Sequence, residues 1–151
     1  MTMRTVTLTG SRTTGHQSPV HYQRLFAAYL APFAPDGHFY LGGSRGIDSL
    51  ALEWLAEHTR AWLTVAVPGT LDQQPPEARS AVNRVWDRIA EIVELGAEPL
   101  DDAAHLARSR WMVDRSGLVI GFPVGTSTGS GTWQTLDYAA AQGKARLIVP
   151  T

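Results

Sequence analysis

Cysteine is absent from the 151 residues of this chain. That excludes disulfides, thiolate metal sites and cysteine nucleophiles at once, and it fits a reducing compartment. Lysine is nearly absent too: Lys144 stands alone. The formal charge is −1, so no excess of positive charge draws in a nucleic-acid backbone or an anionic membrane. No apolar run approaches the ~18 residues that a membrane helix needs. Met1-Thr2-Met3-Arg4-Thr5 leads into a short strand pattern instead of a long apolar core. No signal peptide is therefore expected, and the expected location is the cytoplasm. Internal repeats, low-complexity tracts and linker-like segments are also missing. What remains is an ordinary composition, 44% apolar and 18% charged. Its length suits one domain over 1–151 with a real core.

Strand-like and helix-like segments alternate along the chain. Thr5 to Thr9 alternates with period two and stops at Gly10. Val20 to Leu30 reads as a helix, closed by Pro32 and Pro35. His38 to Leu41 reads as a strand, the stretch from Ile47 to His58 as a helix, and Trp62 to Val67 as a third strand. Pro75-Pro76 suits the first turn of a helix that carries Ala78, Val82, Val85, Trp86 and Ile89. Glu91 to Leu95 is a short strand. Asp101-Asp102 caps a helix from about Ala103 to Arg115. Gly117 to Phe122 does not alternate, which predicts burial on both faces. A helix from Thr132 to Gln142 and a strand from Ala145 to Val149 complete the order. Such β-α alternation predicts an α/β, Rossmann-like, doubly wound and mostly parallel sheet of about six strands, with helices on both faces. Ligands bind such sheets beyond the carboxyl ends of the strands.

Glycine-rich turns fall at three of those ends: Gly10-Ser11-Arg12, Gly42 to Gly46, and Gly121 to Thr132. A strand that passes through glycines into a helix builds an anion site, because the first helical turn offers unpaired N–H groups and the positive end of its dipole. Gly43-Ser44-Arg45-Gly46 fits this pattern, and a tight structural turn fits it equally. Asp48 follows in the first helical turn, where capping the loop and accepting hydrogen bonds from a ribose are both open. Thr126-Ser127-Thr128-Gly129-Ser130-Gly131-Thr132 carries five hydroxyls where one would cap the helix, and the surplus points to binding phosphate. Arg108, Arg110 and Arg115 precede the buried strand, and one of them could pair with phosphate in a fork. The histidines show no metal-ligand spacing, so no metal is expected; His16, after the first strand's loop, is the one placed to face a ligand. Trp54, Trp62, Trp86 and Trp111 fall on apolar faces and are expected in the core. For Trp133, next to Gly131-Thr132, stacking on a base is the alternative to core packing.

Taken together, Gly10-Ser11-Arg12, Gly43-x-x-Gly46-x-Asp48, Arg108-x-x-x-Met112 and Gly125-x-x-x-Gly129-x-Gly131-Thr132 resemble the SLOG superfamily. This Rossmann-like group includes the LOG phosphoribohydrolases and the DNA-processing protein A family. The chain looks most like its small single-domain bacterial members of the YspA kind. The resemblance implies a nucleotide or nucleotide-derived ligand, AMP-like or ADP-ribose-like, with no cofactor required. It implies ligand contacts at Gly10, Ser11, Arg12, Gly43, Ser44, Arg45, Gly46, Asp48, Arg108, Pro123, Gly125, Ser127, Thr128, Gly129, Ser130, Gly131 and Thr132.

LOG enzymes carry an Arg-Lys-x-x-Met segment and then Pro-Gly-Gly-x-Gly-Thr-x-Glu-Glu, with arginine and glutamate cleaving an N-glycosidic bond. Here Arg108 and Met112 match, Ser109 replaces the lysine, and Gln134 and Thr135 replace the glutamates. Gln134 cannot supply a carboxylate's charge. The catalytic pair implied for a hydrolase is then Arg108 with a shifted carboxylate, Asp137. Three functions follow in order: a nucleotide-binding module, possible as a sensor; a nucleoside monophosphate N-glycoside hydrolase; and a single-stranded DNA binder, which the charge balance opposes. The expected partner is a small nucleotide, without nucleic acid or membrane, and relatives of this kind make a homodimer conceivable.

Overall fold

β1, Arg4–Gly10, alternates threonine with aliphatic residues because each face meets a different layer. Val6 and Leu8 enter the larger apolar core. Thr7 turns the other way, fully buried, and is satisfied by the Ser116 hydroxyl at 2.6 Å. These observations come from a computed structural model that describes residues 3–127 and 129–151.

The remaining elements follow in strict alternation: α1 Pro19–Tyr29, β2 Gly37–Leu41, α2 Ile47–His58, β3 Trp62–Val67, α3 Pro76–Arg84, β4 Glu91–Glu94, α4 Asp102–Asp114, β5 Leu118–Phe122, α5 Gly131–Ala141 and β6 Ala145–Ile148. All five strand pairings are parallel, in the order β4-β3-β2-β1-β5-β6. This is the expected Rossmann-like α/β architecture. β5 is buried on both faces as predicted: Ile120 and Phe122 join the larger core, while Val119 joins Val113, Leu136 and Ala139 in a smaller one. α2 packs between α1 and α3, and α4 packs on α5; right-handed crossovers, the rule for parallel strands, put these two groups on opposite faces of this strand order.

The strand order reverses between β1 and β5. From β1 the chain builds outward to β4, then crosses back through α4 to β5. That reversal parts the connections at the carboxyl ends of β1 and β5, and a crevice opens there.

One helix is shorter than its apolar pattern predicts. α3 ends at Arg84, and Trp86–Arg88 forms a 3-10 turn. The Arg88 guanidinium donates to the Thr59 and Ala61 carbonyls at 3.0 and 3.1 Å, which anchors this turn beside the start of β3. Trp86 and Trp62 are consequently 54% and 56% exposed instead of lying in the core. Among the described residues, no helix is long and apolar enough to cross a membrane.

Candidate functional site

A cavity of about 410 Å³ occupies the crevice. Its floor is the end of β1 and the following turn, Leu8 to Thr13. Ser44 and Asp48 form one wall, and the first turns of α5 with Val124 form another. The α4 wall presents Asp102, His105, Leu106, Arg108, Ser109 and Met112. Of the expected contacts, the structure brings Gly10, Ser11, Arg12, Ser44, Asp48, Arg108, Gly129, Ser130, Gly131 and Thr132 to this one cavity. Ser44 and Gly129, far apart in sequence, share its lining. Thr128 lies outside the described residues.

Gly43, Arg45, Gly46, Pro123, Gly125, Ser127 and Asp137 are not in the lining. Each has a physical reason or a place elsewhere. Gly43 is buried behind the wall, its carbonyl accepting from Gln74 Nε2 at 2.6 Å. Gly46 has φ +77°, and a Cβ there would run into the Ser11 carbonyl and lie 2.6 Å from the Arg12 carbonyl carbon. Only glycine takes that backbone so close to another turn. The carbonyl of Pro123 is turned toward the C-terminus, accepting from the Thr151 amide at 3.0 Å. Arg45, Gly125, Ser127 and Asp137 are exposed. Asp137 lies nearly one turn further along α5 than Gln134, outside the lining.

The two glycine-rich loops differ in what their amides do. In the first, the Ser44 N–H donates to Asp48 Oδ2 at 3.3 Å and the Gly46 N–H to Glu77 Oε2 at 3.1 Å. The Ile47 N–H donates to the Ser11 carbonyl at 3.0 Å. The chain's own acceptors therefore occupy what looked in sequence like an anion cradle. In the second, Ser130 caps α5 by accepting from the Trp133 N–H at 3.3 Å. Helix geometry leaves the amides of Gly131 and Thr132 without an intrahelical acceptor, at the positive end of the α5 dipole. The Trp133 indole donates to the Gly125 carbonyl at 3.0 Å, so it ties the loop instead of offering a ring to a base.

Arg108 is 5% exposed and Asp48 7%. The Arg108 Nη1 donates to the Gly42 carbonyl, and it reaches the Ala66 carbonyl at 3.4 Å. It thereby ties α4 to the ends of β2 and β3. Among the described residues its Nε has no partner, nor has Asp48 Oδ1. Among the described residues the two side chains do not close into a direct salt bridge. Burial pushes the Asp48 carboxyl above the usual carboxylate range, opposed by the Arg108 charge and by the amides of Ser44 and Gly42. Burial likewise pulls Arg108 down, opposed by Asp48. An arginine starts so high that it stays charged at neutral pH.

The other expected residues lie elsewhere. The guanidinium of Arg110 covers the Tyr138 ring and that of Arg115 covers the Trp111 ring. His16 is exposed, edge-on to Tyr22, and absent from the lining. His105 lines the cavity instead; its Nδ1 donates to the Asp101 carbonyl at 2.8 Å, which leaves Nε2 as the lone-pair nitrogen of the neutral ring. Asp102, His105, Leu106 and Ser109 were within reach of sequence reasoning. They stand at i, i+3, i+4 and i+7, one face of a helix. The mixed polarity of that face hid it from a search for apolar stripes. Among the described residues no cluster of histidines and carboxylates could hold a metal.

No protein-family model matches the chain, and no curated protein matches it. Solved structures do match. DNA processing protein A from Helicobacter pylori superposes with a TM-score of 0.73 at 21% identity, over 99% of this chain and 66% of that one. The same protein from Streptococcus pneumoniae gives 0.72 at 20%, over 99% and 51%. A molybdenum cofactor binding protein from Rippkaea orientalis gives 0.63 at 16%, over 100% and 78%. The chain thus spans about half to two thirds of the two DNA-processing proteins. These likenesses establish the fold, and that fold is the one expected from the SLOG resemblance.

Proposed function

We propose that this chain binds a nucleotide or nucleotide-derived small molecule in the cavity at the β1–β5 switch point, with its phosphate against the first turn of α5. One observation carries the reading: two turns far apart in sequence, together with a buried arginine and carboxylate from two helices, line a single cavity of nucleotide size. The phosphate belongs at Gly129 to Thr132, where helix geometry leaves amides to donate, and not at Gly43 to Gly46, whose amides are already used. Arg12, exposed on the floor turn, adds positive charge at the mouth. Leu8 on the floor, Leu106 and Met112 on the α4 wall and Val124 opposite supply apolar surface for a base.

The hydrolase reading is weaker in this geometry. Gln134 stands in the lining, Asp137 stands outside it, and Arg108 is engaged with main-chain carbonyls. The single-stranded DNA reading draws support from the Helicobacter pylori neighbour, which is described as binding single-stranded DNA, and from exposed Arg12 and Arg45. A thermal-shift panel of nucleoside mono- and diphosphates and ADP-ribose tests the main reading. A ligand at 100 times its Kd should stabilise the fold by about 2.7 kcal/mol. Stabilisation by none of them sinks the reading. Free base appearing on chromatography would favour hydrolysis, and salt-dependent retardation of single-stranded DNA would favour the third function.

A further inference from the structure

We propose that the part of the sheet beside α4, at the start of β2 and β3, is a self-association surface through which two copies of this chain pair about a two-fold axis. The inference is independent of the nucleotide reading.

The two faces of these strands are finished differently. Phe39, Leu41, Leu63 and Val65 pack with residues of α1, α2 and α3 and are buried. The alternate residues His38, Tyr40 and Trp62 face the α4 side. There α4 is tied by Arg108 to the ends of β2 and β3, and Ser116, just past its last turn, bonds Thr7 of β1. The helix therefore leans away from the start of β3, and Trp62 is left 56% exposed.

A continuous row of side chains crosses this ground. The Trp62 and His38 ring centres lie 6.4 Å apart, and His38 stacks on Tyr40 at 4.6 Å. Tyr40 meets Trp111 of α4 edge-on at 6.0 Å, and the Arg115 guanidinium lies 3.8 Å over the Trp111 ring. A hydrogen bond of 2.7 Å between His38 Nε2 and the Thr64 hydroxyl holds the middle of the row in place. Beyond β3, Glu91 of the edge strand β4 stands opposite Thr64 and closes the other end. Glu91 and Arg115 are exposed, and among the described residues neither forms a salt bridge.

An exposed aromatic patch with a charged rim marks an interaction surface, and aromatic residues and arginine are enriched in such surfaces. The distribution of charge says which partner fits. An anionic chain would meet Glu91 at one end, and a cationic one would meet Arg115 at the other. A second copy turned end for end satisfies both. A two-fold axis through the middle of the row stacks aromatic on aromatic and brings Glu91 to the partner's Arg115 twice, as an isologous contact requires.

Sedimentation equilibrium without any nucleotide tests this, over protein concentrations from about 10 to about 500 µM. The mass should rise from the 16.4 kDa of one chain toward twice that value. Trp62→Ala should weaken association at least tenfold. Glu91→Arg and Arg115→Glu should each weaken it too, because each sets like charges against one another at both ends. Mixing these two variants should restore association, since each then offers the charge that the other lacks. A single-chain mass at every concentration overturns the proposal. So does a dimer that Trp62→Ala leaves intact, or a mixture that associates no better than its components. If Trp62→Ala does not fold, the mixing experiment decides alone.

Discussion

The loops at Gly42–Gly46 and Gly125–Gly131 have the same ingredients and opposite roles. The first is packed. Cβ atoms at Gly42, Gly43 and Gly46 would each press on a neighbour: Arg108, Val67 and the Ser11–Arg12 backbone, respectively. The second is open: among the described residues, chain neighbours aside, nothing lies within 4 Å of the Cβ position at Gly125, Gly129 or Gly131. The first spends its amides on Asp48, Glu77 and the Ser11 carbonyl. The second keeps the start of α5 facing the cavity. Glycine in the one is a packing requirement; in the other the Cβ positions are open, and only Gly125, at φ +68°, has a backbone that favours glycine.

Substitutions should separate the two. Gly46→Ala should cost about 3 kcal/mol in urea denaturation, because a left-handed backbone and contact with a neighbouring turn add up. A loss below about 1 kcal/mol would show that the first loop has slack and resembles the second. Glu77→Ala should cost about 1 kcal/mol by removing the acceptor of the Gly46 amide. It should not create phosphate affinity; a gain measured by titration would mean the first loop is a masked anion site and the contrast is one of occupancy only.

The third test is the pH dependence of Asp48, for which the second loop has no counterpart. Its folded pKa lies above the ordinary 3.8, chiefly through burial. Its contribution to stability is therefore full below that value and is lost as pH rises through the raised one. Asparagine does not titrate there. The Tm of Asp48→Asn minus that of wild type should thus climb across this window, and a flat difference would place the carboxyl in open solvent. Last, Gly129→Val should change stability by no more than about 0.5 kcal/mol, since the position is open. Its effect should appear as weaker binding in nucleotide titration. A large loss of stability would mean the second loop is packed as tightly as the first.

These loops also mark what the sequence could and could not disclose. The strands and helices were legible because apolar periodicity changes cleanly between two and 3.6 residues, and proline or glycine ends most elements. Sheet order was not legible, since nothing local records that β5 returns beside β1. In the site, Ser130 at the α5 cap and the glycines after β5 declared themselves by composition. The occupied state of the first loop did not, because its partners come from elsewhere: Gln74 and Glu77 lie 31 residues from the groups they bond. Arg108 was recognised as important, but its hold on the Gly42 and Ala66 carbonyls depends on where α4 meets the ends of β2 and β3. Trp62 and Trp86 misled because aromatic bulk signals burial only when a neighbouring element arrives to cover it, and here the chain turns away.

The attachment of Gln74 to Gly43 and of Glu77 to Gly46 has a wider result. One side of the cavity is buttressed from outside by a segment that never meets the cavity's contents. Drift in that segment would retune the shape offered to a guest while every guest-facing residue stayed the same. Under the nucleotide reading proposed above, substitutions in the β3–α3 connection and the first turn of α3 should shift affinity without touching the cavity, and engineering could begin there.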